Sequence, residues 1–351
     1  MKRILTTVLV AVTGTVILLT GCKGNTGQTE NGTDSAVEVS KDKIKGRTLI
    51  LAHGQPVDSI ADLSMQQLSQ NLLEQTNESV RIEVFPAVQL GNERDLVEGL
   101  SLGTIDMAWI SGAVMENFEP RFSIFSMPYM FKNYDHVHKL TQGELGQEIF
   151  EELRVKHGIR VLGFYDQGFR YVWNNVHPIT RLEDFKGIKM RVPESPIYVS
   201  TFTKLGTNAT SLPWGELYTA LQTGVVDGYE VFPESTVANQ MYEVTKYGSV
   251  TNHIYAGAVL MINEEKYQSL TEEQKRSLQE AAGKSVDYNN QELVNNEAEY
   301  IRKLEDEGME INTLSDEEMK RMAEVVTPIY EENQDKVGGL DFINQVKALV
   351  E

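Results

Sequence analysis

Hydrophobic and polar positions along this 351-residue chain alternate between two periods. Residues 48–52 and 80–85 are short runs rich in β-branched and apolar side chains, the second closed by Pro86, and they predict strands. Between them, residues 59–75 carry the pattern of a helix. The alternation recurs, with a helix over 93–102, a strand over 105–110, and further strands over 160–165, 188–192 and 226–232. Strands alternating with helices predict an α/β architecture. Near the C-terminus, residues 271–306 contain no proline and only Gly283 as a breaker. Apolar side chains recur there mostly at three and four: Leu278, Ala282, Val286, Leu293, Val294, Ala298, Ile301 and Leu304. This predicts one helix of roughly 35 residues, about 50 Å long. The spacing does not hold the heptad of a coiled coil. Such a helix outspans one small lobe and could brace two.

The first residues follow a different pattern. Lys2 and Arg3 precede an apolar stretch over 4–19, which runs into Leu19-Thr20-Gly21-Cys22. A charged start, an apolar core and small residues at its end are the marks of an export signal. A membrane-spanning anchor is the alternative, since about 16 apolar residues nearly cross a bilayer. The small residues before a single cysteine argue against it. Cys22 is the one cysteine of the chain, so no intrachain disulfide forms. The segment resembles the bacterial lipobox, which implies a diacylglyceryl group on Cys22 after cleavage of residues 1–21. Two acyl chains suffice for stable anchoring. Residues 22–44 are rich in Gly, Asn, Thr, Ser and charge, the composition of a disordered tether.

Loss of Lys2 and Arg3 takes the formal net charge from −19 to about −21. No basic stripe suits a phosphate backbone, so nucleic acid is excluded as an expected partner. An anionic ligand is not excluded. Local arginines outweigh a distant acidic surface that salt screens beyond about 8 Å. About 300 residues remain after the tether, enough for two lobes.

Several motifs occur in a fixed order over roughly residues 47–270. They are Phe85-Pro86 with Gln89-Leu90-Gly91-Asn92-Glu93-Arg94; Leu102-Gly103-Thr104-Ile105-Asp106-Met107-Ala108; Met127-Pro128-Tyr129-Met130-Phe131; and Gly168-Phe169-Arg170. The two most specific are Leu182-Glu183-Asp184-Phe185-Lys186-Gly187-Ile188-Lys189-Met190-Arg191-Val192-Pro193 and Glu216-Leu217-Tyr218-Thr219-Ala220-Leu221-Gln222-Thr223-Gly224-Val225-Val226-Asp227-Gly228. Together they resemble the DctP family of TRAP-transporter solute-binding proteins. The resemblance implies a two-lobed, periplasmic-binding-protein-like α/β fold with hinge strands and a long helix bridging the lobes. One lobe would comprise residues 45–167 with about 257–296, the other 168–256 with about 297–351. It also implies an extracytoplasmic receptor that binds a small organic acid such as a sugar acid, uronate or dicarboxylate. Its partners would be a small and a large membrane subunit driven by an ion gradient.

The family's Arg-Val-Pro arginine binds a ligand carboxylate, and Arg191 keeps that motif. A guanidinium offers a planar fork to both carboxylate oxygens and stays charged. Arg170 occupies a second cationic position, with a structural ion pair as its alternative role. Trp214 stands where the family places an aromatic residue over the ligand. His53, Gln55, Glu93 and Ser111 lie in loops after predicted strands, where open α/β sheets gather ligand groups. One departure follows Asp227-Gly228: the family's Gln-Glu-Asn-Pro becomes Tyr229-Glu230-Val231-Phe232-Pro233. Val231 fills the asparagine position, and Tyr229 and Phe232 become candidates for an aromatic second wall beside Glu230.

Machinery for catalysis is missing from the sequence. There is no Gly-x-Ser-x-Gly elbow, no His-Glu-x-x-His helix and no phosphate-binding glycine loop, so neither an enzyme nor a bound cofactor is expected. His136-x-His138 is the one metal-like pair, and its spacing splits the two rings between helix faces. The main alternative function is a ligand sensor whose closed form is presented to a membrane receptor kinase. An ATP-driven uptake partner is a weaker one.

Overall fold

A computed structural model describes residues 46–350. The export signal, Cys22 and the tether lie outside the described residues. Residues Ile44–Glu351 form one compact unit, which holds all three apolar cores.

Among the described residues, eleven strands fall into two sheets. The first contains β1 (Arg47–His53), β2 (Val80–Phe85), β3 (Met107–Ser111), β4 (Ile159–Phe169) and β10 (Tyr255–Asn263), in the order β2-β1-β3-β10-β4. The second contains β5 (Tyr171–Asn174), β6 (Lys189–Val192), β7 (Asn208–Ser211), β8 (Gly228–Val231), β9 (Tyr247–Val250) and β11 (Glu310–Thr313), in the order β11-β9-β5-β8-β6-β7. Each sheet combines a parallel βαβ part, β2-β1-β3 or β7-β6-β8, with antiparallel strands running back between the lobes.

Both faces of the first sheet are buried. Along β10, Val259 and Met261 enter one core while Ala258, Leu260 and Ile262 enter the other, the period-two split of a covered strand. Gly257 sits on this strand against the Phe164 ring of β4, where an added Cβ would collide with the ring carbons. Gly257→Ala is expected to cost about 1–3 kcal/mol through overpacking, measured by urea unfolding.

The chain passes from the first sheet to the second at a single residue, Arg170, between β4 and β5. It returns between β9 and β10. The two crossings are joined where the Arg170 N–H donates to the Ile254 carbonyl at 3.0 Å. Gly168, just before the crossing, has a φ of +105° and packs against Phe232 and Leu293, a backbone angle that only glycine adopts without strain.

A third connection is the helix Glu272–Asp306, 35 residues long. Thr271 caps it and Gln274 reaches back to the Thr271 N–H at 3.0 Å, a capping box that fixes its start. It packs on helix Ile60–Gln75 and β4 of the first sheet's lobe, then on helix Pro233–Ala238 of the second, before feeding β11. The two-lobed architecture with a bridging helix is therefore present as expected.

Candidate functional site

Between the lobes lie three neighbouring spaces that share lining residues. At the mouth, a cavity of about 370 Å³ opens between Gly54, Pro56, Ala87 and Val88 on one side and Trp214, Tyr218 and Ala238–Met241 on the other. Trp214 lines both this cavity and an inner one of about 30 Å³, which is bounded also by Gln55, Glu93, Ser111, Gln167, Arg170, Arg191, Pro193, Val231, Phe232 and Ser235. Behind that, a space of about 10 Å³ is bounded by Ile60, Trp109, Asp166, Glu234 and Leu293. The inner space accommodates a water or two. A larger solute enters only if the lobes part.

Arg191 lies near the end of β6, and Pro193 stops the strand there, so the guanidinium projects into the inner cavity. The residue is 2% exposed. Two of its nitrogens donate to the Leu212 carbonyl at 3.0 and 2.7 Å. Among the described residues, no carboxylate lies within ion-pair distance of it. Burial is the main influence on its acidity and pulls its pKa down to about 10, so it stays charged at neutral pH. A buried cation without a counterion is costly, and an anion entering the cavity relieves that cost. The Trp214 ring lies 5.6 Å from the guanidinium carbon, half-buried, as a cover that strengthens any pair formed beneath it.

Arg170 is different. Its guanidinium is bound bidentately by Glu230, through Nη2 to Oε1 at 2.9 Å and Nε to Oε2, and Nη2 also donates to the Glu230 carbonyl at 2.8 Å. His253 Nε2 approaches Glu230 at 3.2 Å, and Thr251 holds His253 Nδ1 at 2.8 Å. Burial would raise the Glu230 carboxyl, but Arg170 and His253 outweigh it and hold it below the usual range. Burial keeps His253 low, hence neutral near pH 7. Arg170 thus takes the structural ion pair and also borders the cavity. Glu230 is fully buried behind it and does not line the cavity.

Glu93, at the start of helix Glu93–Leu102, accepts the Ser111 N–H at 2.7 Å. Burial lifts its pKa to about 7, against the pull of that N–H and of Arg191 and Arg170. It presents a carboxyl that changes charge near neutrality. Gln55 and Gln167 each carry a buried side-chain oxygen with no partner. These are acceptors open to hydroxyl groups.

The structure thus brings Arg191, Arg170, Trp214, Glu93, Gln55, Ser111 and Phe232 to one cavity. It does not bring His53, Tyr229 or Glu230 there. His53 is buried and its Nε2 faces Asp62 at 3.2 Å. Tyr229 is fully buried, its hydroxyl on Thr236 at 3.3 Å and its ring stacked on Trp173. The second wall is therefore Val231 at the end of β8 and Phe232 just beyond it, without Tyr229, which lies further back along the strand and packs into the core against Trp173. Gln167 and Ser235 were not expected from the sequence. Gln167 lies three residues before Arg170 in the Gly168-Phe169-Arg170 motif, and that proximity was its only signal. The His136 and His138 rings go to separate partners, the Val346 carbonyl at 2.7 Å and Asp166 at 2.8 Å. Among the described residues no three His, Cys, Asp or Glu side chains gather as a metal site.

The model of the bacterial extracellular solute-binding protein family 7, DctP, matches residues 51–336. The chain belongs to the DctP family. It is 35% identical over 278 residues to the C4-dicarboxylate-binding periplasmic protein DctP of Rhodobacter capsulatus, covering 78% of this chain and 82% of that one. It is 30% identical to the sialic acid-binding periplasmic protein SiaP of Vibrio cholerae, over 83% of this chain and 89% of that one. Among solved structures, a sugar acid binding protein from Advenella mimigardefordensis in complex with galactonate superposes with a TM-score of 0.84 at 26% identity, covering 87% and 98% of the two chains. A TRAP periplasmic solute binding protein from Xanthobacter autotrophicus with bound β-D-galacturonate gives 0.80 at 33% identity, covering 86% and 99%. This DctP chain is accordingly a TRAP-type solute-binding protein. Among its described residues, no helix is long and apolar enough to cross a membrane.

Proposed function

We propose that this protein captures a small hydroxylated carboxylate, of the sugar-acid or uronate kind, between its lobes and delivers it to the TRAP membrane subunits. The observation that carries the reading is Arg191: a buried guanidinium facing the cavity, with no carboxylate of its own. A planar acid group supplies the missing charge and fits the fork. The partnerless oxygens of Gln55 and Gln167 favour a ligand with hydroxyl donors over a bare dicarboxylate. The galactonate and galacturonate bound to the structural neighbours support the same class. A diacylglyceryl anchor on Cys22 would hold the receptor at the outer face of the cytoplasmic membrane beside its transporter, on the strength of the lipobox-like sequence.

In this mechanism, Arg191 and Arg170 from the second lobe and Glu93, Gln55 and Ser111 from the first meet the ligand together. Only a ligand that touches both lobes shifts the balance towards closure, because a shift requires different affinities for the two states. The moving bodies are taken as residues 45–167 with about 257–296, and 168–256 with about 297–351, hinged at Arg170 and Ile254. A thermal-shift screen against sugar acids, uronates and dicarboxylates tests the reading. A bound acid at a hundredfold its dissociation constant adds about 2.7 kcal/mol of stability. The expected result is a rise in Tm with hydroxylated acids and a smaller one with succinate. A response only to neutral sugars or amino acids would overturn it.

A further inference from the structure

Behind the ligand cavity, one carboxyl group reaches across the cleft. Glu234 lies in the first turn of helix Pro233–Ala238, which follows β8 of the second sheet, and its Oε1 accepts the Ile60 N–H at 3.3 Å. Ile60 is the first residue of helix Ile60–Gln75, which follows β1 of the first sheet. Apart from the segments that physically link the lobes, this is a direct bond from one to the other, as is that of the Ile197 N–H to Glu116 at 3.4 Å, and both Glu234 and Ile60 bound the rear cavity. Glu234 is 7% exposed, and no Lys, Arg or His pairs with it among the described residues.

We propose that Glu234 is a proton-operated latch: the lobes close over it as a neutral carboxyl, so closing takes up a proton and opening at higher pH releases it.

The groups around it leave little to hold its charge. From helix Ile60–Gln75 it meets the Ile60 N–H, while Asp62 in the same first turn is engaged by His53. From the long helix, Tyr300 faces it, and Glu234 helps to raise the pKa of that phenol. From β4, Asp166 borders the same rear cavity and is committed to His138 and Tyr255. The helix end favours the anion. Burial opposes it more strongly and lifts the closed-state pKa of Glu234 to about 7. Once the lobes part, water reaches the group and its pKa returns towards the ordinary carboxylate value of about 4.3. A group whose pKa is higher in the closed state favours closure below that pKa, and the preference disappears as pH rises through about 7. The closed-to-open ratio, and with it ligand affinity, should rise about tenfold from Glu234 alone between pH 8 and pH 6. Glu93 adds a proton-linked contribution of its own from inside the cavity, which the comparison below subtracts.

The test does not depend on knowing the ligand. The compact unit Ile44–Glu351 contains no cysteine, so spin labels can be placed at Val57→Cys and Val225→Cys, both exposed positions on opposite lobes. Distances are measured by pulsed electron resonance at pH 8 and pH 6, for the otherwise unchanged sequence and for E234Q. The glutamine amide retains an acceptor for the Ile60 N–H and cannot titrate. The rise in the closed-to-open ratio should be about tenfold larger in the parent than in E234Q. E234A, which loses the acceptor, should lower the closed fraction relative to E234Q at both pH values. Equal pH responses for the parent and E234Q would overturn the latch, and so would an E234A distribution identical to that of E234Q. Either result would leave the carboxylate-binding role of Arg191 standing, since that is tested by ligand.

Discussion

Replacing Arg191 by alanine should abolish ligand binding while leaving the ligand-free protein as stable as before, or more so. Truncating one member of a buried, charge-assisted pair costs about 2–5 kcal/mol of binding, or roughly 30- to 4,000-fold in affinity. The unusual part of the expectation concerns the empty protein. Most buried arginines have a partner whose loss destabilises the fold, whereas Arg191 has only the Leu212 carbonyl. Its removal exchanges a buried charge without an ion-pair partner, which Glu230 and Glu93 offset only in part, for a modest cavity. Thermal unfolding with and without ligand checks both halves at once: the ligand-induced rise in Tm disappears and the ligand-free Tm does not fall. Arg191→Lys keeps the charge but not the planar fork, and should bind about tenfold or more weakly than the parent.

Glu230→Ala should have the opposite signature, a large loss of fold stability. It leaves Arg170 buried without its carboxylate, and breaking such a pair from one side costs about 3–5 kcal/mol. For a folded unit of about 300 residues that corresponds to a fall in Tm of roughly 5–8 °C. The wild-type network also sets an acid limit. Glu230 has a depressed pKa, so its contribution is present above the usual carboxylate pKa and is lost as pH falls through its folded value. His253 is also depressed, so below about pH 6.5 the unfolded chain binds more protons and stability declines. Unfolding followed from pH 7 down to pH 3 should therefore show a loss that His253 begins below about pH 6.5 and Glu230 continues below about pH 4.3, with the lower limb absent in Glu230→Ala.

The elements legible in the sequence were those whose periodicity is simple. Helix Ile60–Gln75 and the long helix Glu272–Asp306 begin within a residue of expectation because Ser59 and Thr271 are N-caps with partners at 3.2 Å. β2 is matched fully, since only one of its faces is covered. β10 is absent from the sequence-based expectation. Its nine residues are buried throughout, so no polar face breaks the run, and an apolar segment of that kind does not declare its period. β5, β7, β9 and β11 are four residues each, too short for an alternation to register by themselves; β6 and β8 are as short and were legible only through the longer runs 188–192 and 226–232 that contain them.

The site divides in the same way. Arg191 was legible because a motif carried it. The pairing of Arg170 with Glu230 was not, because their 60-residue separation is bridged only by the antiparallel register of β5 and β8. Tyr229 and Phe232 looked equivalent as aromatic walls. Their place relative to β8 decides between them: Tyr229 lies inside the strand and packs against Trp173, whereas Phe232 follows its last residue and reaches the cavity. His53 was placed after a strand end, and its partner Asp62 on the next helix turns it away.

The most direct test of the central claim is calorimetric titration with a matched pair: the acid that gives the largest thermal shift and its primary amide, which keeps the shape and loses the charge. Binding of the acid at least about a hundredfold tighter than the amide, with the difference lost in Arg191→Ala, is the predicted result. Equal affinity for acid and amide would contradict a carboxylate held by Arg191.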